Sequence, residues 1–356
     1  MPIKYLGSKR RLVSVLGTLF SAAGGGRALD LFTGTTRVAQ ELKGRGGHVT
    51  ACDRARYAAL FAESVIATDA DTLDLDALDA ELTTLDELGP KPGYVTQTFC
   101  EDARFFRPEN GARIDAIRDA IEQRRGHPHF PILLTSLIEA ADRVDSTTGV
   151  QMAYLKQWAP RAHQRLTLRR PNLLAGPGTA RRGDAQSLLP TLGTFDFAYL
   201  DPPYNQHRYE ANYHVWETLV AWDEPVPYGI ACKRDELSDR SLTSPFNRRG
   251  QMPAALAACI DGVDARVVVV SYNDESWITL DELIAMCRGR GAVEVLEYDS
   301  KRYVGAQIGV HNRAGERVGT TGRLRNVEYV IVCGDRDGVE AALAGARARA
   351  SVSPPR

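Results

Sequence analysis

The chain has 356 residues, 44% hydrophobic and 25% charged, with a formal net charge of −1. These are the proportions of a soluble globular protein, and no uninterrupted apolar stretch is long enough to span a bilayer. The length accommodates two ordinary domains, or one α/β domain carrying a large insertion.

The start, Met1-Pro2-Ile3-Lys4, lacks the apolar core of a signal peptide. Cys52, Cys100, Cys232, Cys259, Cys287 and Cys333 are scattered, with no Cys-x-x-Cys pair and no His at zinc spacing. Together these features predict a reduced, cytoplasmic protein with no structural metal. The small net charge conceals an asymmetry. Eight acids and no base lie between Asp69 and Glu87, whereas Lys156, Arg161, Arg165, Arg169, Arg170, Arg181 and Arg182 follow one another with no acid between them. The basic stretch suits a polyanion, although a solvated helix face would account for it equally well.

In chain order, Arg27 to Phe32 reads as a short buried strand. Thr33-Gly34-Thr35-Thr36 reads as a turn and Arg37 to Leu42 as a helix closed by Gly44, Gly46 and Gly47. His48 to Asp53 is a second strand, followed by a helical run from Ala55 to about Ala67. This alternation begins a doubly wound parallel sheet. Phe195–Leu200 and Ala265–Ser271 continue it. Val293–Tyr298, Gly305–Asn312 and Val327–Cys333 have the pattern of antiparallel strands. Residues 68–183 break the rhythm. Leu75, Leu78, Leu82 and Leu85 mark an amphipathic helix, as do Ile114, Ile117 and Ile121; Pro131–Val144 is a further one. The sequence thus predicts a catalytic domain from 1–67 and 184–338, a mostly helical insertion at 68–183, and a flexible tail at 339–356.

Asp201-Pro202-Pro203-Tyr204 sits at the C-terminal end of the third predicted parallel strand, the edge where open α/β sheets bind ligands. A carboxylate accepts a hydrogen bond from an amino group. Two prolines offer carbonyls without N–H groups and stiffen the turn. A tyrosine offers a face for stacking. The set suits an exocyclic amine on a flat heterocycle, although a strand ending in a proline-stiffened turn is the bland alternative. The first turn, Asp30 to Thr36, has one glycine and an acid before it. It lacks the Gly-x-Gly-x-x-Gly that cradles a dinucleotide pyrophosphate, and its negative charge suits the cationic methionine end of S-adenosylmethionine. Asp53 ends the next strand, where an acid can accept from ribose hydroxyls.

Taken in order, Tyr5-Leu-Gly-Ser-Lys9, Asp30-Leu-Phe-Thr-Gly34, Asp53 and Asp201-Pro-Pro-Tyr204 resemble the D12 class of adenine-specific DNA methyltransferases, which includes the Dam methylases. Phe105–Gly111, Asp142–Gly149 and Asn205–His214 are similar to segments of some of these enzymes. The chain departs from the pattern in two places. Tyr5 stands where Trp is frequent, and Thr35-Thr36 where many members have a second glycine. The resemblance implies a class I S-adenosylmethionine-dependent methyltransferase fold, a Rossmann-like doubly wound sheet with a C-terminal antiparallel hairpin plus the helical insertion as a target-recognition region. It implies S-adenosyl-L-methionine as cofactor, bound by Tyr5, Lys9, Asp30, Phe32, Gly34, Asp53, Asp184 and Asp201. It also implies Asp201, Pro202, Pro203 and Tyr204 as the catalytic set acting on N6 of an adenine rotated out of duplex DNA. Double-stranded DNA is the expected partner, with a cognate restriction endonuclease as a further one and no membrane.

For DNA contact the candidates are Arg161, Arg165, Arg169 and Arg170, the first three spaced for one helical face, with Lys301 and Arg302 by the C-terminal hairpin. Methylation of cytosine N4 or of RNA adenine, and a non-catalytic DNA-binding protein of the same fold, remain open alternatives.

Overall fold

The computed structural model describes residues 3–5, 9–203, 206, 208–239, 241, 243–301 and 325–352. Tyr204, Arg302 and the expected strand Gly305–Asn312 lie outside the described residues.

A seven-stranded sheet organises the chain. Its strands are β1 (Arg27–Asp30), β2 (His48–Asp53), β3 (Gly178–Arg182), β4 (Phe195–Leu200), β5 (Ala265–Asn273), β6 (Ala292–Lys301) and β7 (Arg325–Gly334). The spatial order is β3-β2-β1-β4-β5-β7-β6. The first five run parallel, and β7 is antiparallel to both neighbours. Strand β5 reads Val-Val-Val-Val because both its faces are covered, as in a doubly wound sheet. Val267 and Val269 face a core built with α1 (Val13–Ala22) and α2 (Arg37–Gly44), while Val268 and Val270 face one built with α8 (Met252–Gly262) and α9 (Leu280–Arg288).

A third core joins the insertion to the sheet domain. Helix α4 (Leu75–Asp86) buries Leu78, Leu82 and Leu85 as its periodicity predicts. Helices α5 (Pro108–Glu122) and α6 (Phe130–Val144) pack with it against α3 (Arg56–Ala62) and α7 (His214–Ala221), through Tyr57, Phe61, Tyr213 and Trp216.

Three sequence expectations change. The insertion gives up its last residues to the sheet, because Gly178–Arg182 is the edge strand β3, paired with Val49–Asp53. Its side chains are only half-covered or exposed, so it lacks the apolar run that marks a strand in sequence. The tail is not a flexible segment throughout. Arg336–Val352 is a helix, α10, and Val339, Ala342 and Leu343 are buried with Leu16 and Leu19 of α1. Those positions have helical spacing, but they stand among alanines and arginines that read as solvated. The third change concerns the arginines. Arg161 lies in a single 3-10 turn, Pro160–His163, and the chain runs on without a helix through Arg165, Arg169 and Arg170 to Pro171, so they do not share a helical face.

Candidate active site

Strands β1 and β4 are neighbours from which the sheet is wound in opposite directions, and ligands bind in the crevice at such a switch point. Parallel pairing brings the C-terminal ends of β1, β2 and β4 to one edge. Asp30 ends β1, Asp53 ends β2, and Asp201 follows β4 directly. A cleft opens there, about 950 Å³ including the part open to solvent, at the upper end of the roughly 300–1,000 Å³ typical of small-molecule sites. Tyr5, Lys9, Asp30, Phe32, Gly34 and Asp53 line it. So do Asp184, Asp201 and Pro203, and Pro202 is buried beside them.

The carboxylates are held differently. Asp30 Oδ2 accepts from the Thr33 hydroxyl at 3.0 Å and the Ala39 N–H at 3.2 Å. Its Oδ1 is buried and has no hydrogen-bond partner among the described residues. Burial pushes the Asp30 pKa up to about 7; the Thr33 bond opposes this and the Asp201 charge adds to it. Both Asp53 oxygens brace backbone, accepting the N–H groups of Gly34 and Ala55 at 2.9 Å each. Burial raises Asp53 to about 6 against those bonds. Asp184 caps the short helix Ala185–Leu188 by accepting the Gln186 N–H at 3.0 Å.

Asp201 Oδ1 lies 3.2 Å from Lys9 Nζ, and the same ammonium contacts Glu328 of β7. Burial lifts Asp201 to about 6; Lys9 opposes the shift and Glu328 adds to it. Glu328 is the one member of this ion triad that sequence reasoning missed, since a carboxylate in a strand carries no signal of burial. Ser244, Phe246 and Asn247 also line the cleft unannounced; Phe246 meets the Phe32 ring edge-on at 5.0 Å.

The first turn is tightly shaped. Gly34 has φ +50°, and a Cβ there would stand 3.0 Å from the Tyr5 hydroxyl, so a side chain would drive Tyr5 from its place. The Tyr5 ring is sandwiched between Tyr213 at 4.9 Å and Tyr209 at 5.3 Å. Thr36 adopts the left-handed conformation at φ 61°, which L-residues enter at a cost. Gln40 Nε2 donates to its hydroxyl at 2.8 Å.

Three acids share the cleft with one buried lysine; Asp30 Oδ1 has no hydrogen-bond partner among the described residues, and Asp201 Oδ1 has only the Lys9 ammonium beside it. This donor set fits a ligand carrying positive charge together with hydroxyl or amine donors.

Residues 5–286 match the family model of the D12 class N6 adenine-specific DNA methyltransferases. The chain belongs to this family. It is an enzyme, an adenine-specific DNA methyltransferase with an α/β class I methyltransferase fold. It is 27% identical over 317 residues to the Type II methyltransferase M.NlaIII of Neisseria lactamica, covering 85% of this chain and 92% of that one. It is 30% identical over 237 residues to M.CviAII of Paramecium bursaria Chlorella virus 1, covering 64% of this chain and 71% of the relative. M.FokI of Planomicrobium okeanokoites matches at 30% over 208 residues, 56% of this chain and 31% of that longer protein.

The other family-like segments of this methyltransferase hold the frame. Phe105 and Phe106 are core residues, and a Cβ on Gly111 would overlap Cys100 Sγ. Asp142 and Asp145 bind Lys4 at 2.9 and 3.3 Å, tying the N-terminal segment to the insertion. His214 donates to the Gln151 carbonyl, 2.9 Å away, and burial lowers its pKa to about 3, so it stays neutral.

Of the arginines proposed from sequence for DNA, three are bound to acids of the insertion. Arg161 pairs with Asp145 at 2.6 Å, Arg165 with Asp86 at 2.8 Å and Arg170 with Asp79 at 3.1 Å. The Arg169 guanidinium pairs with no acid among the described residues. Lys301 ends β6 opposite Arg325. Glu81, His127 and His129 form the one potential metal-ligand cluster among the described residues. His129 Nδ1 is already 2.7 Å from Glu81, and Arg124 approaches the same carboxylate at 3.5 Å, so the group is closed on itself. No helix of the described residues is long and apolar enough to cross a membrane.

Proposed function

We propose that the enzyme transfers a methyl group from S-adenosyl-L-methionine directly to N6 of an adenine flipped out of a specific site in duplex DNA. In this reading it acts in the prokaryotic cytoplasm, on the nucleoid, as a modification enzyme that can be paired with a cognate restriction endonuclease. The observation that carries the reading is Asp201. Its Oδ1 is buried at the switch-point edge, where the Lys9 ammonium, shared with Glu328, is its one partner among the described residues, at 3.2 Å.

Asp30 accepts the ammonium of the methionine end through its unfilled oxygen, and Asp53 takes the ribose hydroxyls while bracing Gly34. Tyr5, Phe32 and Asp184 supply walls and a polar edge to the same pocket. When bound, the cofactor supplies an electrophilic methyl carried on a sulfonium.

The adenine N6 lone pair is delocalised into the ring, so the amine is a poor nucleophile. N6–H bonds to the Asp201 carboxylate and the Pro202 carbonyl favour a pyramidal nitrogen and return its lone pair to the reaction. As the N–CH3 bond forms and the S–CH3 bond breaks to leave a neutral thioether, nitrogen would become cationic and shed a proton, which Asp201, raised to about 6, is placed to take. Lys9 keeps that carboxylate charged beforehand, and Glu328 keeps Lys9 from neutralising it fully. Tyr204, outside the described residues, is assigned the stacking role that holds N6 in line. No cysteine nucleophile enters.

The test is chemical. Duplex DNA treated with labelled cofactor and digested to nucleosides should carry the label in N6-methyldeoxyadenosine. Label in N4-methyldeoxycytidine, or label on RNA but not DNA, would overturn the assignment.

A further inference from the structure

A second cleft adjoins the first and shares Tyr5 and Arg37 with it. It runs between the N-terminal segment, the start of α2 and the C-terminal half of α6, and its walls are basic: Arg10, Arg37, Arg143 and Arg169, with Arg161 and Arg170 beyond them. The acids beside it are Asp142, already held by Lys4, and Glu139. Arg161 and Arg170 are paired elsewhere, but Arg37 has no acid partner among the described residues. Its Nε is buried without a hydrogen-bond partner among the described residues. Burial and then the neighbouring Arg10 charge both lower its pKa. Arg143 is in a like position: burial first and then Arg169 lower it, against Glu139 and Asp142, while one guanidinium nitrogen donates to the Thr167 carbonyl at 2.8 Å.

Arg37 and Arg143 are thus half-buried, each sharing the cleft with an exposed arginine, Arg10 and Arg169, and the cations lining the cleft outnumber its acids. An excess of positive charge along a cleft favours entry of an anion. Several cations in a row along one open cleft match a chain of phosphates better than a single small anion. From this geometry we propose that Arg10 and Arg37 grip a backbone phosphate next to the flipped adenine, and that the cleft from there to Arg143 and Arg169 is the track of that DNA strand. The proposal rests on the reading of duplex DNA as substrate. It moves the backbone grip away from Arg161, Arg165 and Arg170 and onto the seam between the two clefts. Arg37, lining both, would couple strand position to the cofactor pocket.

The experiment measures binding of a random-sequence duplex by the full chain across a salt series, since phosphate binding is independent of sequence, together with cofactor binding by calorimetry. Arg10→Gln plus Arg37→Gln, and Arg143→Gln plus Arg169→Gln, should each weaken DNA binding about tenfold or more. Each should also reduce the salt slope by roughly 0.9 for every phosphate no longer neutralised, and the Arg143 and Arg169 pair, which lines only the second cleft, should leave cofactor affinity unchanged. Arg10→Gln alone, at an exposed position, should give a smaller loss of the same kind without endangering the fold. Arg125→Gln, outside both clefts and paired with Glu122, should change neither. Wild-type affinity and slope in the paired variants would overturn the track while leaving the substrate reading intact. Loss of cofactor affinity with DNA binding retained would overturn it by giving Arg37 to the methionine carboxylate. A wild-type chain with no affinity for duplex DNA would overturn the substrate reading, and the track with it.

Discussion

The catalytic cleft and the helical insertion are both rich in charge, and they treat it in opposite ways. In the insertion, acids and arginines satisfy one another. Asp86 alone accepts from the Leu168 N–H at 2.8 Å and pairs with Arg113 and Arg165 at 3.3 and 2.8 Å. In the cleft, Asp30 Oδ1 is buried with no hydrogen-bond partner among the described residues, Asp201 Oδ1 has only an ammonium it shares with Glu328, and burial raises both carboxylates. Charge that is paired holds a fold together; charge left with unfilled valence is available to a ligand. The arginine stretch that stands out in the sequence belongs largely to the first kind, and Arg37, which no sequence pattern marks, to the second.

Removing a paired charge should be the most damaging to stability. Asp86→Ala leaves Arg113, which is 10% exposed, without its acid, and should cost about 2–3 kcal/mol in denaturant unfolding. Activity per folded molecule should be little changed.

In the cleft the effects should appear as pH dependence. With Asp30 at about 7 against 3.8 in the unfolded chain, the native state binds the extra proton between those values. That contribution to apo stability is present at low pH and is lost as pH rises through about 7. Cofactor affinity should run the opposite way, since the cation needs the ionised acid. It should weaken by up to about tenfold per pH unit below 7, the limit for one proton. Asp30→Asn should remove this slope and stabilise the apo protein at pH above 7, as followed by calorimetry and thermal melts.

Glu328→Gln should shift the acid limb of the methylation profile to lower pH by a fraction of a unit, because Glu328 raises Asp201. An unmoved limb would assign Glu328 a merely structural part. The smallest effect is expected at the turn. Thr36→Gly relieves a left-handed threonine but frees the unfolded chain, for a net gain of roughly 0.5–1 kcal/mol. A loss of stability would show that the Gln40 bond outweighs the strain.

The parallel strands were legible because β1, β2, β4 and β5 are apolar runs, three of them ending at or just before an aspartate. Asp30, Gly34, Asp53 and Asp201 were legible because each sits at a strand end or turn, where position follows from order, whereas Tyr5, Lys9 and Asp184 were reached only through the family resemblance. Strand β3 was not, since Gly-Thr-Ala-Arg-Arg at a sheet edge has no apolar signature, and helix α10 hid its three buried residues among alanines and arginines. Glu328 and Ser244–Asn247 reach the cleft only through long-range packing, and no local pattern marks that. The arginine spacing at 161, 165 and 169 predicted a helical face, but beyond the short turn at Pro160–His163 the backbone has no helix before Pro171, and Arg161 and Arg165 reach separate acids.

The most direct measurement is single-turnover methylation by Asp201→Ala beside the wild type, with cofactor and duplex binding followed in parallel. The placement of Asp201 predicts loss of transfer by a factor of roughly 10²–10³ or more, while both ligands still bind and the protein stays folded. Transfer at the wild-type rate would contradict the assignment of the chemistry to Asp201.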